Sequence, residues 1–202
     1  MRAAILAGGA ASRYGGRPKG LELVGGERIL DRLAEDLHAV TGSAPVLVAN
    51  TAGAESWAPG LTVIRDPRPD CGSLGGIYAA VTADSGPVLL VAWDMPFVSA
   101  ELLTALRDGA TEFDVYLPES PGPRGIEPLC GVYGPACVGP IAGRLDDEDY
   151  RAVGFHEAVR VGRLPLDAVR QFGDPEVLFF NVNTPDDLTR AEELWRQRVS
   201  SR

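Results

Sequence analysis

Short apolar runs alternate with stretches of helical periodicity along the chain, and this alternation limits the possible folds more than any other feature. Helical periodicity follows Arg28, occupies residues 77–82, follows Ser99, and closes the chain after Thr184. The apolar runs that we predict to be strands are residues 3–7, 46–49, 61–64, 87–92, 115–117, 129–133 and 177–180. Such alternation predicts an open, mostly parallel sheet in a three-layer α/β domain. No internal repeat or dividing linker interrupts it, so residues 1–202 are predicted to form a single domain.

The charge balance and the lengths of the apolar runs exclude several classes of partner. The chain has 28 acidic and 19 basic residues, and its net charge of −9 is unfavourable for general binding to nucleic acid or to an anionic membrane. No apolar run approaches the roughly 18 residues of a membrane span. Glycines stop the first run too early for a signal peptide. We therefore expect a cytoplasmic protein with no nucleic-acid or membrane partner.

The cysteines and histidines leave few catalytic devices available. Cys71, Cys130 and Cys137 include no C-x-x-C pair, which argues against a disulfide framework and a zinc ribbon. The two histidines offer little material for His-based catalysis or metal binding. Lysine usage is more informative, because Lys19 is the only lysine among the 19 basic residues. A single Lys in an Arg-rich chain indicates a position that needs a compact ammonium, and the alternative is chance in a biased composition.

The loop after the first predicted strand has the composition of a phosphate-binding segment. It contains Gly8, Gly9, Arg13 and Lys19 directly after the apolar run. Glycines let backbone N–H groups approach phosphate oxygens, and the two cations supply counter-charge. The spacing matches neither the P-loop nor the G-x-G-x-x-G fingerprint. The alternative is a flexible surface loop.

Two further loops follow predicted strands and complete the candidate site. Residues 66–76 form a Gly- and Pro-rich loop that runs into a helix, and such a loop suits a base or a ribose held by backbone groups. Asp94 follows the most apolar strand, which we expect to be central in the sheet, and a carboxylate there is well placed to hold Mg²⁺ against nucleotide phosphates. The alternatives are an ordinary turn and a helix N-terminal Asp.

Several segments, in order along the chain, resemble known families. Residues 6–19, with Gly8-Gly9, Arg13 and Lys19, are similar to the signature of the nucleotidyltransferase superfamily that includes sugar-nucleotide pyrophosphorylases. Residues 72–77 resemble the Gly-Pro-Leu-Ala-Gly-Ile segment of the molybdenum cofactor guanylyltransferases, and residues 179–188 resemble that family's C-terminal motif. The resemblance implies a Rossmann-like nucleotidyltransferase fold.

The chain departs from the family pattern at four positions. Pro18 precedes the lysine where Asp is usual, and Trp93 stands where Cys is common. Glu127 stands where His often precedes a Pro-Leu pair, and Val48 where some members have Asn. These departures concern the choice of substrate more than the type of reaction.

The resemblance implies transfer of GMP from Mg-GTP to the terminal phosphate of Mo-molybdopterin, with release of pyrophosphate. Mg²⁺ is the implied cofactor, GTP and Mo-molybdopterin are the implied partners, and molybdoenzyme chaperones are candidate further partners. In this reading Arg13, Lys19 and Asp94 are catalytic, and Asp94 is also the metal ligand. The predicted nucleotide-binding residues are Leu6, Ala7, Gly8, Gly9, Lys19, Asp66, Gly72, Ser73, Gly75 and Asp94.

Asn181 and Asn183 of the C-terminal motif would lie near the metal or the acceptor, or would merely form a turn and a helix cap. Two other activities stay open at this stage. One is cytidylyl transfer to the same pterin, or transfer to another phosphate acceptor, and the other is nucleotide binding by a regulatory module without catalysis.

Overall fold

The computed structural model describes residues 1–8 and 18–200, in which seven strands form one sheet and two form a separate hairpin. The strands are β1 (Arg2–Leu6), β2 (Leu23–Val24), β3 (Glu27–Arg28), β4 (Val46–Val48), β5 (Thr62–Ile64), β6 (Val88–Ala92), β7 (Val115–Pro118), β8 (Cys130–Tyr133) and β9 (Val161–Leu164).

The large sheet has the order β5-β4-β1-β6-β8-β7-β9, which places β6 in the centre, as predicted for the most apolar strand. Strands β5, β4, β1 and β6 are mutually parallel, and β9 is parallel to β7. Strand β8 runs antiparallel to both of its neighbours, β6 and β7. The expectation of an open, mostly parallel sheet is therefore confirmed, and β8 alone runs against the others in this sheet.

Helices cover both faces of the sheet and complete the predicted three layers. The helices are α1 (Ile29–Thr41), α2 (Gly72–Thr82), α3 (Ala100–Gly109), α4 (Val138–Asp146), α5 (Leu166–Val169), α6 (Pro175–Leu178) and α7 (Pro185–Ser200). One apolar core joins Leu33 of α1 and Leu106 of α3 to Ile5 of β1. A second core joins Leu74 of α2 and Ile141 of α4 to the opposite face. No helix within residues 1–8 and 18–200 is long and apolar enough to cross a membrane.

Local sequence signals explain several helix ends. Gly42 ends α1 in the left-handed conformation, with φ of 76°, which a glycine adopts without steric strain. The Ser99 hydroxyl accepts a hydrogen bond from Leu102 N and caps α3, as predicted. Thr184 caps α7 in the same way, and Pro185 occupies its first position.

Two predictions of secondary structure are wrong. The run 177–180, predicted as a strand, contains no strand, and its first two residues end α6, since the Asp174 side chain accepts a hydrogen bond from Glu176 N and Pro175 follows at the first helical position. Helix α2 begins at Gly72 and not at Ile77, so the glycines expected in a loop form its first turns.

Strand β9 and the β2–β3 hairpin were not predicted from the sequence. Strand β9 contains a glycine and an exposed Arg, and the hairpin strands have two residues each, so neither shows an apolar run. Helix α7 holds the hairpin in place, because Glu192 Oε1 accepts a 2.8 Å hydrogen bond from Gly25 N. The Trp195 ring packs against Gly25 where a Cβ would collide, and the Arg32 guanidinium lies 4.1 Å from the Trp195 ring centroid.

Candidate active site

The carboxyl ends of β1 and β6 lie side by side and form the centre of the candidate site. Leu6 pairs with Ala92, the last residue of β6, and Trp93 N donates a 3.1 Å hydrogen bond to Leu6 O. Ala7 N donates to Val48 O at 2.9 Å. The side chains of Leu6 and Ala7 are buried, so these two residues can offer a nucleotide only backbone groups. Gly8 is exposed, and no residue of the described ranges occupies the space that a Cβ would fill.

Lys19 lies in a single 3-10 turn, Lys19–Leu21, and its side chain is only 10% exposed. Its Nζ donates a 2.7 Å hydrogen bond to Asn183 Oδ1 and lies 3.9 Å from Asp94 Oδ2. The structure therefore brings together three of the residues that the sequence singled out, and they come from three separate segments of the chain.

The first turn of α7 fixes the position of Asn183. Asp187 Oδ2 accepts hydrogen bonds from the backbone N–H groups of Asn183 at 2.9 Å and Thr184 at 2.8 Å. Val182 N donates to Asp94 O at 2.9 Å and ties this turn to the end of β6. Asn181 donates from Nδ2 to Phe179 O at 2.8 Å, within its own loop. Of the two predicted asparagines, Asn183 is the one in contact with Lys19.

The Asp94 carboxylate is largely buried, and burial raises its pKa while the charge of Lys19 opposes that rise. Glu127 is a second, half-buried carboxylate at this edge, and its Oε1 accepts a 3.0 Å hydrogen bond from Leu129 N. Burial raises the pKa of Glu127, and the charge of Asp94 adds to the rise. Ala92 N donates to Leu129 O at 2.8 Å, which connects the start of β8 to the end of β6.

Glu127 did not enter the predicted site, although its position had been noted as a departure from the family pattern. Its proximity depends on β8 running antiparallel, because an antiparallel strand begins where its parallel neighbours end. An acidic residue just before a strand would have been the signal, but the sequence does not reveal the direction of that strand.

A second group of predicted residues forms beside the start of α2. Asp66 Oδ1 accepts a 2.8 Å hydrogen bond from Arg68 N, and Asp66 N donates to Asn50 Oδ1 at 2.8 Å. A Cβ at Gly75 would collide with the Asp66 carboxylate, so glycine is required for this approach. Burial raises the pKa of Asp66.

Gly72 and Ser73 are exposed at the start of α2, and Gly72 has a φ of 60°. Asp66 follows β5, which runs parallel to β1 and β6, so this group shares the edge at which Asp94 lies. Gly9 and Arg13 lie outside the described residues, and their phosphate-binding roles stay predictions.

The side-chain oxygens of Asp94 and Asn183 are suitable ligands for a hard divalent cation such as Mg²⁺. Within the described part of the chain there is no cluster of three or more His, Cys, Asp or Glu residues that could hold a metal alone. Mg²⁺ commonly uses one or two protein carboxylates and takes its other ligands from phosphates and water, so a single Asp suffices for a metal that arrives with a nucleotide.

The fold that carries the Lys19–Asp94–Asn183 cluster is that of the nucleotidyltransferases. Residues 3–161 match the family described as the MobA-like NTP transferase domain, and the chain belongs to this family. A relative from Pelotomaculum thermopropionicum, named a probable molybdenum cofactor guanylyltransferase, is 35% identical over 191 residues, covering 94% of this chain and 91% of the relative. A molybdenum cofactor guanylyltransferase from Desulfosudis oleivorans is 31% identical over 192 residues, covering 93% of this chain and 92% of the relative.

Solved structures confirm the fold assignment. The molybdopterin-guanine dinucleotide biosynthesis protein A from Archaeoglobus fulgidus is similar with a TM-score of 0.81 and 28% identity, covering 98% of this chain and all of that one. A CMP:2-keto-3-deoxy-manno-octonic acid synthetase solved with CTP reaches a TM-score of 0.69 at 13% identity, covering 98% of both chains, and shows the fold alone. The predicted resemblance to the molybdenum cofactor guanylyltransferases is thus confirmed.

Proposed function

We propose that this nucleotidyltransferase transfers GMP from Mg-GTP to the terminal phosphate of Mo-molybdopterin and releases pyrophosphate. The observation that carries the proposal is the position of Lys19, the only lysine. Its Nζ lies 2.7 Å from Asn183 Oδ1 and 3.9 Å from Asp94 Oδ2, at the carboxyl ends of adjacent strands. The names of the relatives support the choice of acceptor and base.

In the proposed reaction a phosphate oxygen of the acceptor attacks the α-phosphorus of GTP. The bond from that phosphorus to the pyrophosphate oxygen breaks, and pyrophosphate leaves with the electron pair. The acceptor phosphate is already ionised at neutral pH, so no general base is needed. Catalysis then consists of positioning and of neutralising charge on the phosphates.

Lys19 is suited to the second task. An ammonium has three N–H donors, and the hydrogen bond to Asn183 uses one of them, so two can point at phosphate oxygens. Asp94, with help from Asn183, would hold Mg²⁺, which supplies further charge neutralisation at the phosphates. The predicted contribution of Arg13 is of the same kind.

We assign recognition of the nucleotide base to the edge of the sheet between Gly8 and the start of α2. Guanine offers N1–H and N2–H₂ donors and an O6 acceptor, which backbone carbonyls and N–H groups can match. Asp66 is the predicted nucleoside contact. Gly72, Ser73 and Gly75 are further predicted nucleotide-binding residues at the start of α2. Groups paired with guanine donors would be left unpaired by cytosine, and this mismatch gives strong discrimination when the groups are buried.

The test is pyrophosphate release with each of the four nucleoside triphosphates, Mg²⁺ and Mo-molybdopterin as acceptor. We expect the highest kcat/KM with GTP and formation of the guanine dinucleotide, identified by mass spectrometry. A preference for CTP would overturn the guanylyl assignment and leave the transferase assignment intact. Tight nucleotide binding without pyrophosphate release under any condition would favour the regulatory-module alternative. Cytoplasmic location and contact with molybdoenzyme chaperones stay predictions.

A further inference from the structure

The indole ring of Trp93 lies directly against the turn that carries Lys19. A Cβ placed on Gly20 would lie 2.5 Å from Trp93 Cε3 and 2.9 Å from Trp93 Cδ2. Carbon atoms without a bond between them do not approach so closely, since their optimal separation is about 3.5–4.0 Å. Only glycine at position 20 therefore lets the backbone after Lys19 rest on the ring.

The ring itself is held from two other sides. Trp93 is 5% exposed and stacks on Trp57, with ring centroids 5.2 Å apart and an interplanar angle of 27°. Its backbone N–H is bonded to Leu6 O at the end of β1. Trp93 also directly precedes Asp94 in sequence. The indole ring of Trp93 thus connects the end of β6, next to Asp94, to the turn that contains Lys19.

The indole nitrogen of Trp93 does not support this arrangement through a hydrogen bond to any described residue. Trp93 Nε1 is buried and makes no hydrogen bond with any residue in the ranges 1–8 and 18–200. Leaving a buried N–H unpaired is unfavourable, so no hydrogen bond within the described ranges accounts for an indole at this position. The described contacts of Trp93 are made by the flat area of its ring, which a phenyl ring supplies in part and an aliphatic side chain does not.

We propose that Trp93 is a positioning residue, whose ring sets the place of Lys19 relative to Asp94 and Asn183. It is not a catalytic residue, because its ring is covered by Gly20 and Trp57 and its nitrogen is buried. The inference rests on the proposed transfer reaction for its functional meaning, since Lys19 is the group whose placement the ring controls.

The first experiment measures the acylation rate of Lys19 by an amine-selective reagent, read by mass spectrometry of the peptide that contains the single lysine. We expect the reaction to be slow in the unaltered protein, because the Lys19 side chain is only 10% exposed. In Trp93→Leu we expect the rate to rise about tenfold or more, since the turn loses its support and opens more often. Trp93→Phe should restore most of the protection. An unchanged rate in Trp93→Leu would overturn the proposal.

Trp57→Phe is the matched control, because it removes an indole from the same stack and leaves the contact between Trp93 and Gly20 in place. We expect its Lys19 acylation rate to stay within about threefold of that of the unaltered protein, the range of ordinary local fluctuation. Equal acceleration in Trp57→Phe and Trp93→Leu would mean that general loosening, and not the support of Lys19, is responsible, and would overturn the proposal. Cooperative thermal unfolding of each variant is checked first.

The second experiment is a double-mutant cycle on turnover. Gly20→Ala should lower kcat about tenfold, because the added methyl group pushes the Lys19 turn off the ring, while KM for the nucleotide changes less. In the Trp93→Leu background the methyl group has room, so the same change should lower kcat by less than about threefold. Independent, multiplicative effects would contradict the proposal. Gly20→Ala also provides the acylation test if Trp93→Leu does not fold.

The two proposals fail in distinguishable ways. Acylation of Lys19 needs no substrate, so it decides the positioning role even if no nucleotide supports pyrophosphate release. Absence of turnover with every nucleotide and acceptor would instead count against the proposed reaction alone.

Discussion

Lys19 Nζ donates a 2.7 Å hydrogen bond to Asn183 Oδ1, and the two residues are 164 positions apart in sequence. The bond joins the loop after the first strand to the first turn of α7. Asp94 Oδ2 lies 3.9 Å from the same ammonium, so among the described residues Lys19 contacts one carboxylate and one amide. The following predictions test what this arrangement does.

Lys19→Ala should fold and lose about 10²–10³-fold in kcat, which is the size expected when one electrostatic contact is lost in a transition state. Lys19→Arg should recover little activity, because a planar guanidinium does not fit a site that accommodates a compact ammonium. Steady-state kinetics with GTP provide the measurement. Arg190→Ala on the exposed face of α7 is a matched loss of one positive charge and should leave kcat unaltered within about twofold, as for most surface changes. High activity in Lys19→Arg would contradict the argument from the single lysine.

Asp94→Asn should reduce Mg²⁺-dependent turnover far more than it weakens nucleotide binding. The amide keeps the shape of the side chain but loses the charge that a hard cation requires. Turnover measured against Mg²⁺ concentration, together with nucleotide affinity from calorimetry, separates the two effects. Asp94 is not at a helix terminus, because α3 begins at Ala100. An unaltered dependence of turnover on Mg²⁺ in Asp94→Asn would contradict the proposed metal role.

Asp187→Ala should lower stability by about 1 kcal/mol and also lower kcat. The Asp187 carboxylate accepts N–H groups of Asn183 and Thr184, so its loss removes a helix cap and frees the asparagine that holds Lys19. The neighbouring Asp186→Ala is the control, because Asp186 lies exposed in the same first turn. Thermal unfolding and kinetics are compared for both variants. Equal losses of kcat in the two would show that the cap has no special connection to the site.

Gly75→Ala should destabilise the protein by about 1–3 kcal/mol, because its Cβ collides with the Asp66 carboxylate in a closely packed turn. It should also raise KM for the nucleotide if Asp66 contacts the nucleoside. Gly139→Ala in α4 is the matched control, since no described residue lies within 4 Å of the added Cβ and alanine is favoured in a helix by about 0.5–1 kcal/mol. Urea unfolding of the two variants should therefore give changes of opposite sign.

Asp36→Asn should stabilise the protein above pH 6. Burial and the charge of Glu101 raise the pKa of Asp36 from 3.8 to about 6. The folded state then binds a proton more tightly than the unfolded chain, so the free energy of unfolding falls as pH rises through this interval. Screening of a partly exposed group limits the expected gain at pH 7.5 to about 1 kcal/mol. Thermal unfolding of Asp36→Asn and of the unaltered protein at pH 4 and pH 7.5 checks this gain in stability. An equal effect of the substitution at both pH values would contradict a raised pKa of Asp36.

The sequence predicted the parts of the fold that depend on local patterns. The alternation of apolar runs and helices identified the parallel sheet, and the most apolar run identified its central strand. The apolar run 177–180 was misleading, because Asp174 and Pro175 begin a helix there regardless of the residues that follow. The direction of β8 could not be predicted, since strand direction depends on long-range pairing.

The same distinction applies to the site. Lys19 and Asp94 could be predicted because each follows a recognisable strand, and Asn183 because it belongs to a motif that resembles a known family. The contact between Lys19 and Asn183 could not be derived from spacing, and Glu127 enters only through the antiparallel strand. Trp93 and Gly20 were also missed as a pair, since a ring beneath a glycine leaves no pattern in the sequence.

The way α7 closes the structure has a consequence for the timing of activity in the cell. This helix holds Asn183 at its start and grips the β2–β3 hairpin through Glu192 and Trp195 further along. Before α7 folds onto the rest of the chain, Asn183 is not held beside Lys19 and the β2–β3 hairpin lacks its contacts with Glu192 and Trp195. Any activity that depends on the contact between Lys19 and Asn183 should therefore appear during synthesis only after α7 has folded.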